Sequence, residues 1–179
     1  MRTAMLIVLV LVGSPVLAAP PSNAQAMRPT SAYTSLDLDR CARLDRGDEP
    51  GSARLRCKGF AGISLFVQNG DDRHDIDAGR EDQDELWSAG FDEPGRTIEW
   101  RLSRGRPFAL IYRLNASAQN GPRSSRLMVE TIGGSSPGCR IASIDVRAPR
   151  ANEQARRAAD RVLNGTARCL KRSRCGVTI

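Results

Sequence analysis

Apolar and polar residues alternate in short runs along the middle of the chain, and Gly, Pro, Asp and Ser separate one run from the next. Alternation with a period of two sends successive side chains to opposite faces of a β-strand. The pattern therefore predicts strands joined by short links and paired antiparallel. The predicted strands span 53–60, 63–68, 73–78, 97–102, 107–114, 126–132 and 139–146.

The clearest pairing joins the run TIEWRL at 97–102 to the run PFALIYRL at 107–114. In each run the apolar residues fall on one face and the polar residues on the other. Only four residues, SRGR, separate the two runs, which is short enough for a hairpin. The alternation would place Glu99 and Arg113 together on the solvent-facing side of this hairpin.

A helical period appears once, over residues 152–164, and predicts one C-terminal helix. Asn152 is a suitable N-cap, Gly165 stands where a helix ends, and Glu153 is spaced to pair with Arg157 one turn later. The small apolar face would let the helix lie close to a sheet. This face consists of Ala151, Ala155, Ala158, Ala159, Val162 and Leu163.

The N-terminus has the order of a secretory signal peptide, predicted over residues 1–26. Arg2 supplies a positive start, and residues 4–12 form an apolar run that is too short to span a bilayer. Small residues follow the run and offer three cleavage sites, after Ala18, Ala19 or Ala26. The sequence thus predicts a periplasmic or secreted protein.

The rest of the chain is predicted to be a flexible lead-in over 27–32 and a single β-rich domain over 33–179. That length is ordinary for one domain with its own core. The fold class expected is α+β and mainly β. The expected architecture is a twisted antiparallel sheet, a half-open barrel or a sandwich, of about six to seven strands covered by the C-terminal helix.

The chain has five cysteines, and in an oxidising compartment such residues form disulfides. The preferred pairs are Cys41–Cys57 and Cys139–Cys169, which leave Cys175 free. Cys175 could instead compete for Cys169, and two bonds among five cysteines allow fifteen arrangements.

Charge is distributed unevenly along the chain. The net charge is +3 over residues 1–70, −8 over 71–99 and +12 over 100–179, and the total is +7. One interpretation is that the basic C-terminal part binds a polyanion such as lipopolysaccharide, a teichoic-type polymer or nucleic acid. The candidate binding residues are Arg168, Lys171, Arg172 and Arg174. The other interpretation is a solvated surface, since the arginines are spread out and no nucleic-acid module is recognisable.

Residues 69–86 hold eight carboxylates and the only histidine of the chain, His74. The spacing does not fit a calcium loop of the EF-hand type, which needs Gly at position 6 and Glu at position 12. A looser calcium site remains open, with Asp71, Asp72, Asp75 and Asp77 as ligands. A solvated acidic loop is the alternative.

Catalytic motifs are not recognisable, and no catalytic residue is assigned. The chain has no G-x-S-x-G elbow, its GGSSPG stretch has no phosphate-loop Lys, and one His without C-x-x-C pairs makes zinc unsupported. We therefore expect a non-enzymatic module, without a cofactor, that binds an envelope protein or an anionic polymer. The alternative is a hydrolase of unrecognised type that uses acidic-block carboxylates with His74.

Three stretches of the chain resemble a group of uncharacterised exported proteins of Gram-negative bacteria. The stretches are the E-W-R and P-F-A strands, the G-C at 138–139 with Asp145 and Val146 after it, and the A-N-x-x-A-R-x-x-A-D helix. In this chain Asp145 precedes Val146, whereas the group has V-D. The resemblance implies a periplasmic location and one domain, and it implies no activity.

Overall fold

The computed structural model describes residues 28–46, 52–81, 91–116 and 125–170. These residues form nine β-strands, one short 3-10 helix at Leu38–Arg40 and one α-helix. The strands are β1 Thr30–Ser35, β2 Ala42–Arg46, β3 Ala53–Lys58, β4 Ser64–Gly70, β5 Arg73–Ala78, β6 Asp92–Ser103, β7 Arg106–Ala116, β8 Arg126–Thr131 and β9 Arg140–Asp145, and the helix is α1 Ala151–Asp160.

The strands form two antiparallel sheets that do not close into a barrel. One sheet has the order β1-β6-β7-β8-β9, and the other has the order β2-β3-β4-β5. Helix α1 packs on β7, β8 and β9 of the five-stranded sheet. The predicted class, α+β and mainly β with one covering helix, is confirmed.

All seven predicted strands are present, and β5 has the predicted bounds. Two strands, β1 and β2, were not predicted. Their sequences, TSAYTS and ARLDR, have little apolar alternation because each lies at the edge of a sheet. Since β1 begins at Thr30, strand structure starts inside the segment 27–32 that was predicted to be a flexible lead-in.

The main core lies between the two sheets. It is built from the apolar faces of β4 and β5 on one side and of β6 and β7 on the other. Trp100 is fully buried there, its ring centroid lies 6.1 Å from that of Phe60, and its indole N–H donates to Thr34 Oγ1 at 2.8 Å. The alternation predicted for β6 and β7 therefore supplies the inner faces of this core.

The second core lies under α1, where its alanines meet the other face of the five-stranded sheet. The helix spans Ala151–Asp160, not 152–164, and its N-cap is Arg150 in a left-handed conformation, not Asn152. After Asp160 the chain continues in tighter turns, because residues 162, 163 and 165 donate to carbonyls three positions back. Glu153 and Arg157 form the predicted pair, with Nη1 and Oε2 3.3 Å apart.

The hairpin of β6 and β7 is confirmed, with Arg104 and Gly105 at positive φ in its two-residue turn. The prediction that Glu99 faces solvent is wrong, since α1 covers it and leaves it 9% exposed. Arg113 is exposed as predicted. The helix changed the environment of this face, which the alternation alone could not indicate.

Both predicted disulfides are present. Cys41–Cys57 ties the segment after the 3-10 helix to β3, and Cys139–Cys169 ties the start of β9 to the segment after α1. Their Cα–Cα distances are 4.4 and 5.6 Å. Such bonds are typical of proteins outside the reducing cytoplasm. Cys175 lies outside the described residues.

Gly138 marks a close backbone approach in the link between β8 and β9. A Cβ there would collide with the carbonyl of Thr131, whereas a Cβ on Gly134 would meet nothing within 4 Å. We expect Gly138→Ala to lower the free energy of unfolding by about 1–3 kcal/mol, because backbone must move. Gly134→Ala in the same link should leave the urea midpoint unchanged, and equal midpoints for both variants would contradict the prediction.

Candidate functional site

A bulge in β6 positions the side chain on which the candidate site depends. Pro94 pairs with Leu114 and Ile98 pairs with Tyr112, so three residues of β6, 95–97, stand opposite the single residue Arg113. Extra residues bend a strand and redirect its side chains. Arg96, in the middle of this bulge, lines two neighbouring clefts.

The first cleft, which we call the helix-side cleft, lies between α1 and the face of β1, β6 and β7. It has a volume of about 450 Å³. Its polar lining comes from four elements of the fold, because the first strand, the bulged strand, its hairpin partner and the helix all contribute. The polar residues that matter for the site are Tyr33, Arg96, Glu99, Arg113, Asn115, Asn152 and Arg156.

A network of ion pairs holds one wall of the helix-side cleft in place. Arg156 of α1 donates to Glu99 from Nε at 2.6 Å and from Nη2 at 3.2 Å, and its Nη2 also donates to the Tyr33 hydroxyl at 3.1 Å. Ser31 Oγ donates to Glu99 Oε1 at 2.6 Å. The hydrogen bond to Glu99 raises the pKa of Arg156, so this guanidinium stays charged.

A second pair, next to this network, fixes the helix to the same sheet. Arg101 is 5% exposed, and its Nη2 donates to both carboxylate oxygens of Asp160 at 2.8 and 2.9 Å. Its Nη1 donates to Ser31 Oγ at 2.6 Å. Two arginine–carboxylate pairs therefore lock α1 against β6 and β1, and forked pairs of this kind set orientation as well as energy.

The second cleft, which we call the disulfide-side cleft, lies on the other side of Arg96 and has a volume of about 740 Å³. The Cys41–Cys57 bond, Arg40 and Lys58 line it. Asp37 also lines it, and its Oδ1 accepts from the backbone N–H of Asp39 as the cap of the 3-10 helix. The cations of this cleft therefore outnumber its carboxylates.

Four of the cations that line the two clefts have side chains without an ion-pair partner among the described residues. Arg40, Lys58, Arg96 and Arg113 are exposed, and none of their side chains makes a hydrogen bond or ion pair with another described residue. Arg156, by contrast, is neutralised by Glu99. The two clefts share Arg96 and together form a positively charged strip, and concave surfaces of one charge attract ions of the opposite charge.

The four aspartates of the predicted calcium site lie in two different environments. Asp71 and Asp72 are exposed at positive φ in the turn between β4 and β5, whereas Asp75 and Asp77 are buried in β5. Asp75 Oδ1 lies 2.6 Å from Arg140 Nη2, so a cation already offsets its charge. Among the described residues no three His, Cys, Asp or Glu side chains group as metal ligands, and calcium binding stays a prediction.

His74, named with the acidic carboxylates in the hydrolase alternative, is buried in β5. Its Nδ1 lies 2.7 Å from the Asp92 carbonyl, and its backbone N–H donates to Asp92 Oδ1 at 3.1 Å. Because a carbonyl only accepts, Nδ1 carries the hydrogen in this contact. His74 lines neither of these two clefts, and the hydrolase alternative stays a prediction.

The predicted C-terminal basic cluster falls mostly outside the described residues. Arg168 is exposed, and its Nη1 donates to the carbonyls of Gly165 and Ala167. Lys171, Arg172 and Arg174 are not described. The polyanion interpretation for these four residues stays a prediction, and the described cationic surface lies elsewhere.

A third polar cluster is sealed between the two sheets. Glu130 Oε1 accepts three hydrogen bonds, from Tyr112 Oη at 2.8 Å and from Nη2 and Nε of Arg140 at 2.8 and 3.1 Å. Arg140 Nη2 also reaches Asp75 Oδ1, so it joins β9 of one sheet to β5 of the other. Burial raises the pKa of Glu130 to about 7 against the opposing effect of Arg140.

The sequence analysis did not predict the cleft cations as a group, because they lie far apart along the chain. Arg96 lies within the acidic segment 71–99, and Arg40 and Lys58 are eighteen residues apart. One signal was available, since Pro94 and Gly95 precede a strong strand, and glycine in a strand often marks a bulge.

Comparison with protein families, curated proteins and solved structures finds no match. None of the described helices has the length and apolar character of a membrane span.

Proposed function

We propose that this protein is an exported, non-catalytic domain that binds an anionic polymer of the cell envelope along the two clefts that meet at Arg96. The observation that carries the proposal is the set of four cleft cations without a partner among the described residues. Arginine and lysine left unpaired in a concave surface bind phosphate, sulfate or carboxylate groups, and several such contacts along one polymer add up.

The two disulfides and the leader-like N-terminus support the exported location, and the resemblance to exported proteins agrees with them. Outside the cytoplasm of a Gram-negative cell, most anionic polymers are glycans or phosphate-bearing glycans of the envelope. Two clefts that share one arginine fit an extended chain better than a small metabolite, because a polymer can contact Arg96 and the cations of both clefts at once.

Retention on heparin, a sulfated glycan, tests the proposal. The variant Arg40→Gln/Lys58→Gln/Arg96→Gln should elute at clearly lower salt than the natural protein, because three contacts to the polymer are lost. A plot of log affinity against log salt should lose about 3 from its slope, since each contact contributes about 1.

The matched control removes the same charge from exposed arginines that line neither cleft, as Arg104→Gln/Arg106→Gln/Arg161→Gln. This variant should elute close to the natural protein. If the salt concentration at elution fell equally for the two triple variants, net charge alone would govern retention and the proposal would be overturned. Failure of the natural protein to bind heparin at low salt would overturn it as well.

A further inference from the structure

The two clefts differ in chemistry although both are cationic. The helix-side cleft contains an exposed aromatic ring and two carboxamides, those of Tyr33, Asn115 and Asn152. The disulfide-side cleft is lined mainly by the disulfide, hydroxyl side chains and charged side chains, and its described lining contains neither an aromatic ring nor a carboxamide. Only the first therefore has groups for a ring-shaped, hydroxyl-rich unit.

We infer that the helix-side cleft binds a single acidic sugar unit, of the uronic acid class, within the polymer that the strip holds. The inference rests on the proposed function and deepens it. The sugar ring stacks on Tyr33, its hydroxyls bond to the Asn115 and Asn152 side chains, and its carboxylate lies between Arg96 and Arg113.

Tyr33 is suited to stacking because its ring is exposed but its position is fixed. The residue is 56% exposed, and Arg156 holds its hydroxyl at 3.1 Å. Arg156 is itself held by Glu99, at the edge of the network between α1 and β6. A tyrosine with one end bound and one face open offers apolar area to the C–H face of a sugar at little entropic cost.

The carboxamides match the hydroxyls of a sugar. An asparagine side chain both donates and accepts, as does a hydroxyl, so one amide can bond two neighbouring sugar hydroxyls. Asn115 lies at the end of β7 and Asn152 in the first turn of α1, so the two amides come from different walls of the cleft.

The bulge in β6 places two arginines where both can contact the carboxylate of the proposed sugar. Three residues of β6 stand against Arg113, so Arg96 and Arg113 belong to the same short stretch of the sheet and line the same cleft. A guanidinium offers two parallel N–H donors to a carboxylate, and neither of these guanidinium groups has a partner among the described residues. The volume, about 450 Å³, is within the range of sites for small molecules.

Isothermal titration with trigalacturonate, maltotriose and tripolyphosphate tests the inference on the purified protein. Trigalacturonate should bind to the natural protein, and its affinity for Tyr33→Ala should be at least tenfold lower. Maltotriose should bind at least tenfold more weakly, because it has no carboxylate. Tripolyphosphate should bind through the cations alone, with the same affinity in the natural protein and in Tyr33→Ala.

Tyr33→Phe separates stacking from the hydroxyl contact. Its affinity for trigalacturonate should stay within threefold of that of the natural protein. Lys58→Gln, in the other cleft, should also stay within threefold. The inference is overturned if Tyr33→Ala leaves trigalacturonate affinity unchanged, if Tyr33→Phe loses as much as Tyr33→Ala, or if Tyr33→Ala weakens tripolyphosphate equally. In each of these cases, heparin retention that still depends on Arg40, Lys58 and Arg96 would leave the proposed function standing.

Discussion

Replacing Arg140 by methionine should lower the free energy of unfolding by about 3–5 kcal/mol, because the change removes a cation that Asp75 and Glu130 both contact between the sheets. Arg140 is 6% exposed and contacts Glu130 and Asp75, which are 3% and 8% exposed. Removing one partner from a buried ion pair is far more damaging than removing an exposed pair, since the remaining group keeps its desolvation penalty.

Chemical denaturation of Arg140→Met beside the natural protein measures this loss. The control is Arg147→Met, which removes an arginine that pairs with Asp145 at the surface and should leave the midpoint unchanged. The far-ultraviolet circular dichroism of Arg140→Met at low denaturant checks that it still folds. Similar midpoints for the two variants would show that the cluster between the sheets contributes no more than a surface pair.

The second large effect concerns pH and Glu130. Burial raises the pKa of this carboxyl from its ordinary value of 4.5 to about 7. Below pH 4.5 the folded and unfolded chains both hold the proton. Between about 4.5 and 7 only the folded chain holds it, so stability falls as pH rises, and this contribution is gone above about 7. The shift corresponds to about 3 kcal/mol.

Denaturation at pH 5 and pH 8 measures the effect when the natural protein is compared with Glu130→Gln. Glutamine imitates the protonated carboxyl, so between pH 5 and pH 8 the free energy of unfolding of the natural protein should fall by about 2–3 kcal/mol more than that of Glu130→Gln. Glu153→Gln, on the exposed surface of α1, should follow the natural profile. If the natural protein and Glu130→Gln showed parallel profiles, Glu130 would be ionised in the folded state throughout.

The geometry agrees with a neutral Glu130. All three hydrogen bonds that described residues donate to this carboxyl end on Oε1, which a protonated acid can accept through its carbonyl oxygen while Oε2 carries the proton. Arg140 then retains Asp75 as its anionic partner.

The parts of the fold that depend on local pattern were predictable. Strands with one apolar face, such as β6 and β7, and the alanine face of α1 follow directly from period and composition. The two disulfides are the pairs that the sequence analysis preferred among fifteen arrangements. The edge strand β1 was missed because a strand whose apolar positions are few has no period to detect.

The candidate site was less predictable, because it depends on contacts between distant residues. Glu99 looked like a solvent-facing residue of a hairpin until α1, more than fifty positions later, covered it. Asp75 looked like part of a solvated block, although Arg140 meets it from 65 positions away. Arg96 belongs to the acidic segment by charge count, and only the register of β6 against β7 shows where it lies.

The contact between Arg156 and Tyr33 joins positions 123 residues apart, almost the full extent of the described chain. The helix-side cleft therefore needs the first strand and the last helix at the same time. Until synthesis has passed α1, Tyr33 lacks its contact with Arg156 and the cleft lacks its helical wall. Sugar binding as we propose it therefore requires the completed chain, so a nascent chain would not be captured by the polymer.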